Sequence, residues 1–109
     1  MIPALPSAIT AFFHATNTRE FAGFLSLFTD AAHVNDEAND YYGAEIAAWI
    51  DRATAEAKPT AEVTAATQQD GGTFHVTALV SGNFPGSPIP LHYHFILEAD
   101  KIASLLIKA

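Results

Sequence analysis

Apolar residues in the first half of the chain recur at helical spacing. After Ser7, which is a residue type favoured at helix N-caps, Ile9, Phe12 and Phe13 fall on one face with a period close to 3.6 residues. This pattern predicts a first helix that continues to Asn17.

A second apolar stripe predicts a second helix after Thr18. Its members follow the i, i+3, i+4, i+7 spacing: Phe21, Phe24, Leu25 and Phe28. A stripe of this kind is more typical of a core than of a ligand pocket.

A short strand and a third helix follow. Residues 32–35 are too few for a helix, and they lead into the acidic stretch NDEAND, so they predict a strand and a loop. After Gly43, Ile46, Trp49 and Ile50 again repeat at helical spacing. This third helix should end before Pro59, because proline disfavours helix in the residue before it.

The second half of the chain changes to the two-residue period of strands. One predicted hairpin joins TAEVTAATQQ to TFHVTALVSGN through Asp70-Gly71-Gly72, and a second joins LHYHFILE to IASLLIK through a tight turn at residues 99–101. Helices followed by antiparallel strands indicate an α+β fold with the helices on one face of the sheet. The length predicts a single domain over residues 1–109.

Composition narrows the range of partners. The net charge is −7 with only five Lys and Arg, which argues against a nucleic-acid or anionic membrane surface, since both need clustered positive charge. There is no cysteine, and thus no disulfide or thiolate site. The stretch MIPALPSAITAFF has two prolines and no basic region, and apolar runs fall short of the roughly 18 residues of a membrane helix. We therefore expect a soluble cytoplasmic protein.

The order of these elements, the spacing G-x-x-I-x-x-W from Gly43 to Trp49, and the stretch FTDAAHVND together resemble the SnoaL-like branch of the nuclear-transport-factor-2-like superfamily. That superfamily includes the ketosteroid isomerases and certain polyketide cyclases. The resemblance covers nearly the whole chain. It implies a cone-shaped α+β fold, in which a curved, mainly antiparallel sheet carries three helices on its concave face and encloses a ligand cavity.

The resemblance also implies site residues. Asp36 falls where the family places a general-base aspartate, which takes a proton from a carbon next to a carbonyl. His92 falls near the late-strand acid of the isomerases, and Phe12 replaces their tyrosine donor, which argues against steroid isomerisation by that donor. Phe12 and Trp49 would line the cavity. The alternative for Asp36 is a turn-forming acid that caps backbone amides.

His92 and His94 lie two residues apart on one predicted strand, so their side chains share a face, opposite Leu91, Tyr93 and Phe95. If the histidine face is the cavity, His92 is a catalytic partner of Asp36 and His94 binds substrate. The alternatives are ordinary surface or core histidines, or a metal bound by both histidines and Asp36. A bare H-x-H is a weak metal signal, and we predict neither metal nor cofactor.

These assignments predict a small-molecule-binding protein for an apolar or carbonyl-containing ligand. The enzymatic hypothesis is an isomerase, cyclase or lyase that works by proton transfer through Asp36; the alternative is a non-catalytic ligand-binding or protein-interaction module. An epoxide hydrolase ranks third, because Arg19 and Arg52 fall on predicted exposed helix positions. The sequence does not specify the substrate.

A homodimer follows from the same assignment of faces. If the histidines point inward, Leu91, Tyr93 and Phe95 form an apolar patch on the convex face of the sheet. Patches of this size usually mark an interface, and a two-fold pair of identical chains is the commonest way to bury them.

Overall fold

The fold is a six-stranded sheet with two α-helices packed against one face. A computed structural model describes residues 4–109; residues 1–3, which include the first proline of the N-terminal stretch, lie outside the described residues. The helices are α1 (Ser7–Thr18) and α2 (Glu45–Ala55), with a short 3-10 helix (Phe24–Leu27) between them. The strands are β1 (Phe28–Asp36), β2 (Asn39–Tyr42), β3 (Thr60–Gln68), β4 (Thr73–Ser81), β5 (Ile89–Glu98) and β6 (Lys101–Lys108).

The strands lie in the order β2-β1-β6-β5-β4-β3, and every neighbouring pair is antiparallel except β1 and β6. The predicted β3–β4 and β5–β6 hairpins are confirmed. The last strand returns to pair in parallel with the first, which joins the two halves of the chain in one sheet. The prediction of an α+β fold with a mainly antiparallel sheet is therefore confirmed.

Both helices bury their apolar residues against the concave face of the sheet. Ile9 and Phe12 of α1, and Ile46 of α2, are at most 2% exposed. The side-chain amide of Asn17 pairs with both the N–H and the C=O of Ala61 on β3, at 2.8 and 3.0 Å, and so ties the end of α1 to the sheet. No helix within residues 4–109 is long and apolar enough to span a membrane.

The predicted second helix, and with it the count of three, is wrong. Arg19 (φ 59°) ends α1 and Gly23 (φ 77°) adopts a left-handed conformation, so only one turn of 3-10 helix forms before Phe28 opens β1. Glycine reaches this conformation without steric cost and weakens a helix interior. Leu25, a member of the predicted stripe, is 40% exposed. The buried aromatic residues of the stripe thus reach the core from a turn and a strand.

Candidate functional site: a pocket on the concave face

Asp36 is the last inward-facing residue of β1. The strand alternates so that Ala32 and Val34 are fully buried beneath the helices, and Asp36 continues the same face. Glu37 and Ala38, both with positive φ, then form the tight turn to β2. Because the turn stops the strand at this point, the carboxyl group lies at the edge of the core.

Trp49 holds the Asp36 carboxylate from α2. The indole Nε1–H donates a hydrogen bond of 3.0 Å to Asp36 Oδ2. Burial raises the pKa of Asp36, the indole hydrogen bond partly lowers it, and the neighbouring Glu37 charge raises it, for a net increase above the ordinary aspartate value. The result is a carboxylate more basic than usual, in which Oδ2 accepts the indole N–H and Oδ1 has no side-chain partner within residues 4–109.

Tyr93 lies on the same face of the sheet as Asp36, two strands away. Asp36 pairs with Ile107 of β6, and Ile107 pairs with Tyr93 of β5, so the three residues form one row on the concave face. Two strand spacings separate the backbones of Asp36 and Tyr93 by about 10 Å. Burial, and then the Asp36 charge, raise the pKa of Tyr93, so its hydroxyl remains protonated at neutral pH.

Aromatic contacts hold the Tyr93 ring in place. The rings of Phe12 and Phe13 contact it edge-on, with 6.2 and 5.0 Å between ring centroids. The ring of Phe95 stacks on it with 6.2 Å between centroids. Tyr93 is only 6% exposed. The phenol is therefore preorganised, because few rotamers are open to a ring packed on several sides.

These side chains border a pocket of about 800 Å³ between the helices and the sheet. Its walls are mainly apolar, and Phe12, Trp49, Leu91 and Tyr93 are among them. Asp36 lines it together with a smaller set of other polar side chains, among them Asn35, Glu37 and Lys108. Small-molecule sites typically measure about 300–1,000 Å³ and combine apolar walls with few polar groups. The pocket therefore has the volume and the mainly apolar lining that are typical of small-molecule sites.

The prediction that His92 and His94 face the cavity is wrong. Along β5, Tyr93 and Phe95 are buried beneath the helices, while His92 and His94 project from the opposite face beside His75 of β4. The more apolar set of alternating residues occupies the core, since burial of apolar area drives folding by about 25 cal/mol per Å². The predicted outward patch of Leu91, Tyr93 and Phe95 is wrong for the same reason.

The structure also bears on two alternatives from the sequence, the metal site at the histidines and the epoxide hydrolase that would need an arginine. Asp36 and the His92–His94 pair lie on opposite faces of the sheet, which separates the proposed metal ligands. Among residues 4–109 no group of three His, Cys, Asp or Glu side chains is arranged so that it could hold a metal ion. Arg19 donates to the carbonyls of Asn17 and Pro59, and Arg52 lies over the Tyr41 ring at 5.7 Å. Neither arginine lines the large pocket, so an aspartate–arginine–aspartate arrangement is not assembled there.

Phe12 and Trp49 line the pocket with Asp36 as the sequence predicted, whereas Tyr93 was missed as a site residue. A signal for Tyr93 was present in the sequence. It lies between Leu91 and Phe95 in the more apolar set of β5, and a tyrosine in such a set brings a hydroxyl to the edge of the core.

Comparison with known structures supplies the family. The chain is 34% identical to a candidate polyketide cyclase from Sinorhizobium meliloti, with a TM-score of 0.90 and 95% of each chain covered. Similarity of this extent shows that the chain belongs to the nuclear-transport-factor-2-like superfamily, in its SnoaL-like branch. The family inferred from the sequence is thereby confirmed.

More distant structures share the fold. A hypothetical protein from Catenulispora acidiphila with a ketosteroid-isomerase-like fold, solved in complex with trimethylamine, is 20% identical, with a TM-score of 0.83 and coverage of 97% of this chain and 87% of that one. A candidate polyketide cyclase from Pseudomonas putida is 18% identical, with a TM-score of 0.79 and coverage of 95% and 90%. No family model and no curated protein matches the sequence.

Proposed function

We propose that this protein binds a small apolar or carbonyl-containing molecule in the concave pocket and transfers a proton on it through Asp36. The observation that carries the proposal is the Asp36 carboxylate, which has a raised pKa, is held by the Trp49 indole, and shares one row of the sheet with Tyr93. An isomerase, cyclase or lyase reaction is the class that this arrangement supports.

The proposed step breaks a C–H bond next to the substrate carbonyl. The proton passes to Asp36 Oδ1, since Oδ2 accepts the indole N–H, and the electron pair moves onto the carbonyl oxygen to form an enolate. Tyr93 takes the role first assigned to His92 and donates its O–H to that oxygen. In a β,γ-unsaturated substrate the product of this step is a dienolate, and return of the proton from Asp36 to its γ carbon isomerises the substrate. In a substrate with a second carbonyl, attack of the enolate carbon on that carbonyl closes a ring, and the alkoxide so formed takes the proton from Asp36.

Trp49 and Phe12 act as positioning residues in this proposal. Trp49 holds the carboxylate, and Phe12 supplies a wall and an edge contact to the Tyr93 ring. Phe12 has no hydrogen-bond donor, so Tyr93 is the aromatic donor on which catalysis would depend.

A ligand-binding module without catalysis is the second candidate. It is favoured by the predominance of apolar groups in the pocket wall and by phenylalanine at position 12, where the related isomerases carry a donor. Under this reading Asp36 would select ligands by charge or hydrogen bonding alone. The trimethylamine bound by the Catenulispora protein makes small amines worth including among the ligands tested.

Deuterium exchange distinguishes the two candidates. With 2-tetralone as probe in D₂O at pH 8, ¹H NMR should show faster loss of the α-proton signal with the wild-type protein than with buffer. Asp36→Asn should slow the protein-dependent rate about 10²–10⁴-fold, and Tyr93→Phe about 10²-fold. His92→Gln is the matched control on the opposite face and should leave the rate unchanged.

The outcomes separate cleanly. Exchange that survives Asp36→Asn would contradict the catalytic proposal. Chemical-shift changes at Trp49 and Tyr93 without exchange would support the binding module, and no shift change with either 2-tetralone or trimethylamine would count against both.

The single domain over residues 1–109, the cytoplasmic location, the absence of nucleic-acid and membrane partners, and the homodimer remain predictions. The net charge of −7 still argues against a polyanionic partner. For the homodimer, the face must be reassigned, because Leu91, Tyr93 and Phe95 point into the core.

A further inference from the structure

A second pocket lies between the C-terminal ends of α1 and α2 and contains most of the cationic side chains of the molecule. It measures about 340 Å³, and Arg19, Arg52 and Lys58 line it. These are three of the five Lys and Arg residues in a chain with a net charge of −7. Thr54 contributes to both pockets, but Asp36 lines only the large one. The second pocket is therefore a separate site of opposite charge.

The backbone fixes the Arg19 guanidinium through only some of its donors. Its two terminal nitrogens donate to the carbonyl oxygens of Asn17 and Pro59, each at 3.1 Å. Since a guanidinium has five N–H groups, the others remain available. The Nε–H is one of them, and its nitrogen is buried without a hydrogen-bond partner within residues 4–109. A buried, unpaired donor on a charged group is costly, which points to a partner from outside these residues.

The positive charge of this pocket is only partly offset by its surroundings. Each helix C-terminus carries a partial charge of about −0.5, and the Asp51 carboxylate on the pocket wall adds one negative charge. Three cations against these leave about one positive charge. The salt bridge within residues 4–109 joins His33 and Asp40, so no cation of the pocket is paired with a carboxylate of the described chain. The pocket thus suits one small anion.

The lining of the pocket favours a carboxylate that carries an apolar group. A planar carboxylate can accept hydrogen bonds from Nε–H and a terminal nitrogen of Arg19 side by side. The partly buried ring of Phe21 forms an apolar wall of the same pocket. Arg52 and Lys58 are exposed, so their charges can approach an anion at the pocket mouth. The volume is at the small end of the range for ligand sites, which matches a single small molecule.

We propose that the pocket bounded by Arg19, Arg52 and Lys58 binds a small carboxylate whose apolar part packs against Phe21. The Arg19 guanidinium orients the carboxylate, and the other two cations add attraction. Asp51 opposes binding, because like charges repel. The site does not depend on proton transfer at Asp36 in the large pocket.

An NMR titration of the wild-type chain tests the site. At pH 7.5 and low salt, benzoate should shift the ¹⁵N–¹H signal of Arg19 Nε–H, whereas benzamide, its neutral isostere, should not. Added salt should weaken the binding, because the contacts are ionic and partly exposed. No shift of the Arg19 signal with benzoate would overturn the proposal, as would shifts at Trp49 alone, which would place benzoate in the large pocket. Inorganic phosphate that binds as tightly as benzoate would overturn the assignment to carboxylates.

Substitutions in the pocket should change the dissociation constant for benzoate in opposite directions. Arg52→Gln and Lys58→Gln should each raise it about two- to fivefold. Arg19→Lys keeps the charge but loses the planar fork, and should raise it about tenfold. Asp51→Asn should lower it about two- to fivefold, since a repelling charge is removed. Isothermal titration calorimetry measures all four.

Matched controls separate the pocket from general charge. Lys101→Gln and Asp70→Asn change the net charge by the same amounts at positions outside the pocket, and should leave the dissociation constant unchanged. Equal effects of control and pocket substitutions would overturn the site. Should Arg19→Lys lose its far-ultraviolet circular dichroism, the exposed positions of Arg52 and Lys58 still decide, and unchanged affinity in both variants would also reject the proposal. None of these outcomes bears on the exchange reaction in the large pocket.

Discussion

The two faces of the sheet differ in chemistry although they are made from alternate residues of the same strands. On β5, Tyr93 and Phe95 are buried among aromatic rings. His92 and His94 alternate with them along the strand, point to the other face and contact His75 of β4. The concave face partly buries the Asp36 carboxylate among mainly apolar side chains, and this burial raises its pKa. The outer face groups imidazoles that remain within reach of water. Burial raises the pKa of Asp36 on the concave face, whereas on the outer face burial, and then the neighbouring His75, lower the pKa of His94.

The largest expected effect is on stability, in a comparison of substitutions at Phe95 and Ile96, which are adjacent in the chain and lie on opposite faces of the sheet. Phe95→Ala should lower the free energy of unfolding by about 3–5 kcal/mol, because the ring is fully buried and its loss leaves a cavity. Ile96→Ala, one residue further on the outer face, should change it by no more than about 0.5 kcal/mol in the monomer. Urea denaturation monitored by circular dichroism measures both. Similar losses for the two variants would contradict the assignment of faces.

Trp49→Phe should have the next largest effect and should be specific to the concave face. It removes the indole donor, so the pKa of Asp36 should rise further, and loss of a hydrogen bond to a charged group should destabilise the fold by about 1–3 kcal/mol. Carbon-detected NMR titration of the Asp36 carboxyl group reads the pKa directly. A fall in that pKa, or no change, would show that the indole does not stabilise the charged form.

Asp36→Asn should change how stability depends on pH more than it changes the free energy of unfolding at any one pH. Because the folded-state pKa of Asp36 is raised, its contribution is fully present below the unfolded value of 3.8 and is lost as the pH rises through the folded value. The asparagine carbonyl still accepts the Trp49 N–H. Thermal unfolding from pH 3 to 8 should therefore show wild type losing stability relative to the variant as the pH rises; the opposite trend would mean that the carboxylate is favoured in the fold.

The smallest effect is expected at the sheet edge, where Asp40 accepts hydrogen bonds from Asn35 and His33. Hydrogen bonds from Asn35 and then His33 lower the pKa of Asp40, so its contribution is present above 3.8 and is lost as the pH falls through the folded value. Asp40→Asn should abolish this loss in acid unfolding, with Asp100→Asn in the β5–β6 turn as control. The solvent-exposed position of the pair keeps the effect slight.

Most elements were predictable because they depend on local patterns. The stripe of Ile46, Trp49 and Ile50 defined α2, and the glycine-containing turn at residues 70–72 defined the β3–β4 hairpin. The second helix failed because an apolar stripe alone did not reveal that Gly23 would take a left-handed conformation. Aromatic residues at i and i+4 served equally well to fill the core from a 3-10 turn and the start of a strand.

The site was predictable in part. Asp36, Phe12 and Trp49 line one pocket as the family resemblance implied. His92 and His94 lie on the other face, because the more apolar set of alternating residues on β5 packs beneath the helices. Tyr93 lies inside because it belongs to this more apolar set, with Leu91 and Phe95. The Trp49–Asp36 hydrogen bond lay beyond sequence reasoning, since it joins a helix to a strand 13 residues away.

The sequence by itself determined which residues share a face, because the two-residue period of a strand separates His92 and His94 from Leu91, Tyr93 and Phe95 at every register. It did not decide which of these faces meets the helices. Only the tertiary structure placed α1 and α2 over the tyrosine face, aligned Asp36, Ile107 and Tyr93 in one row, and gathered His75 with the β5 histidines. The physical reason is that alternation is a local property of the backbone, whereas burial and pKa depend on strands and helices that are distant in the chain.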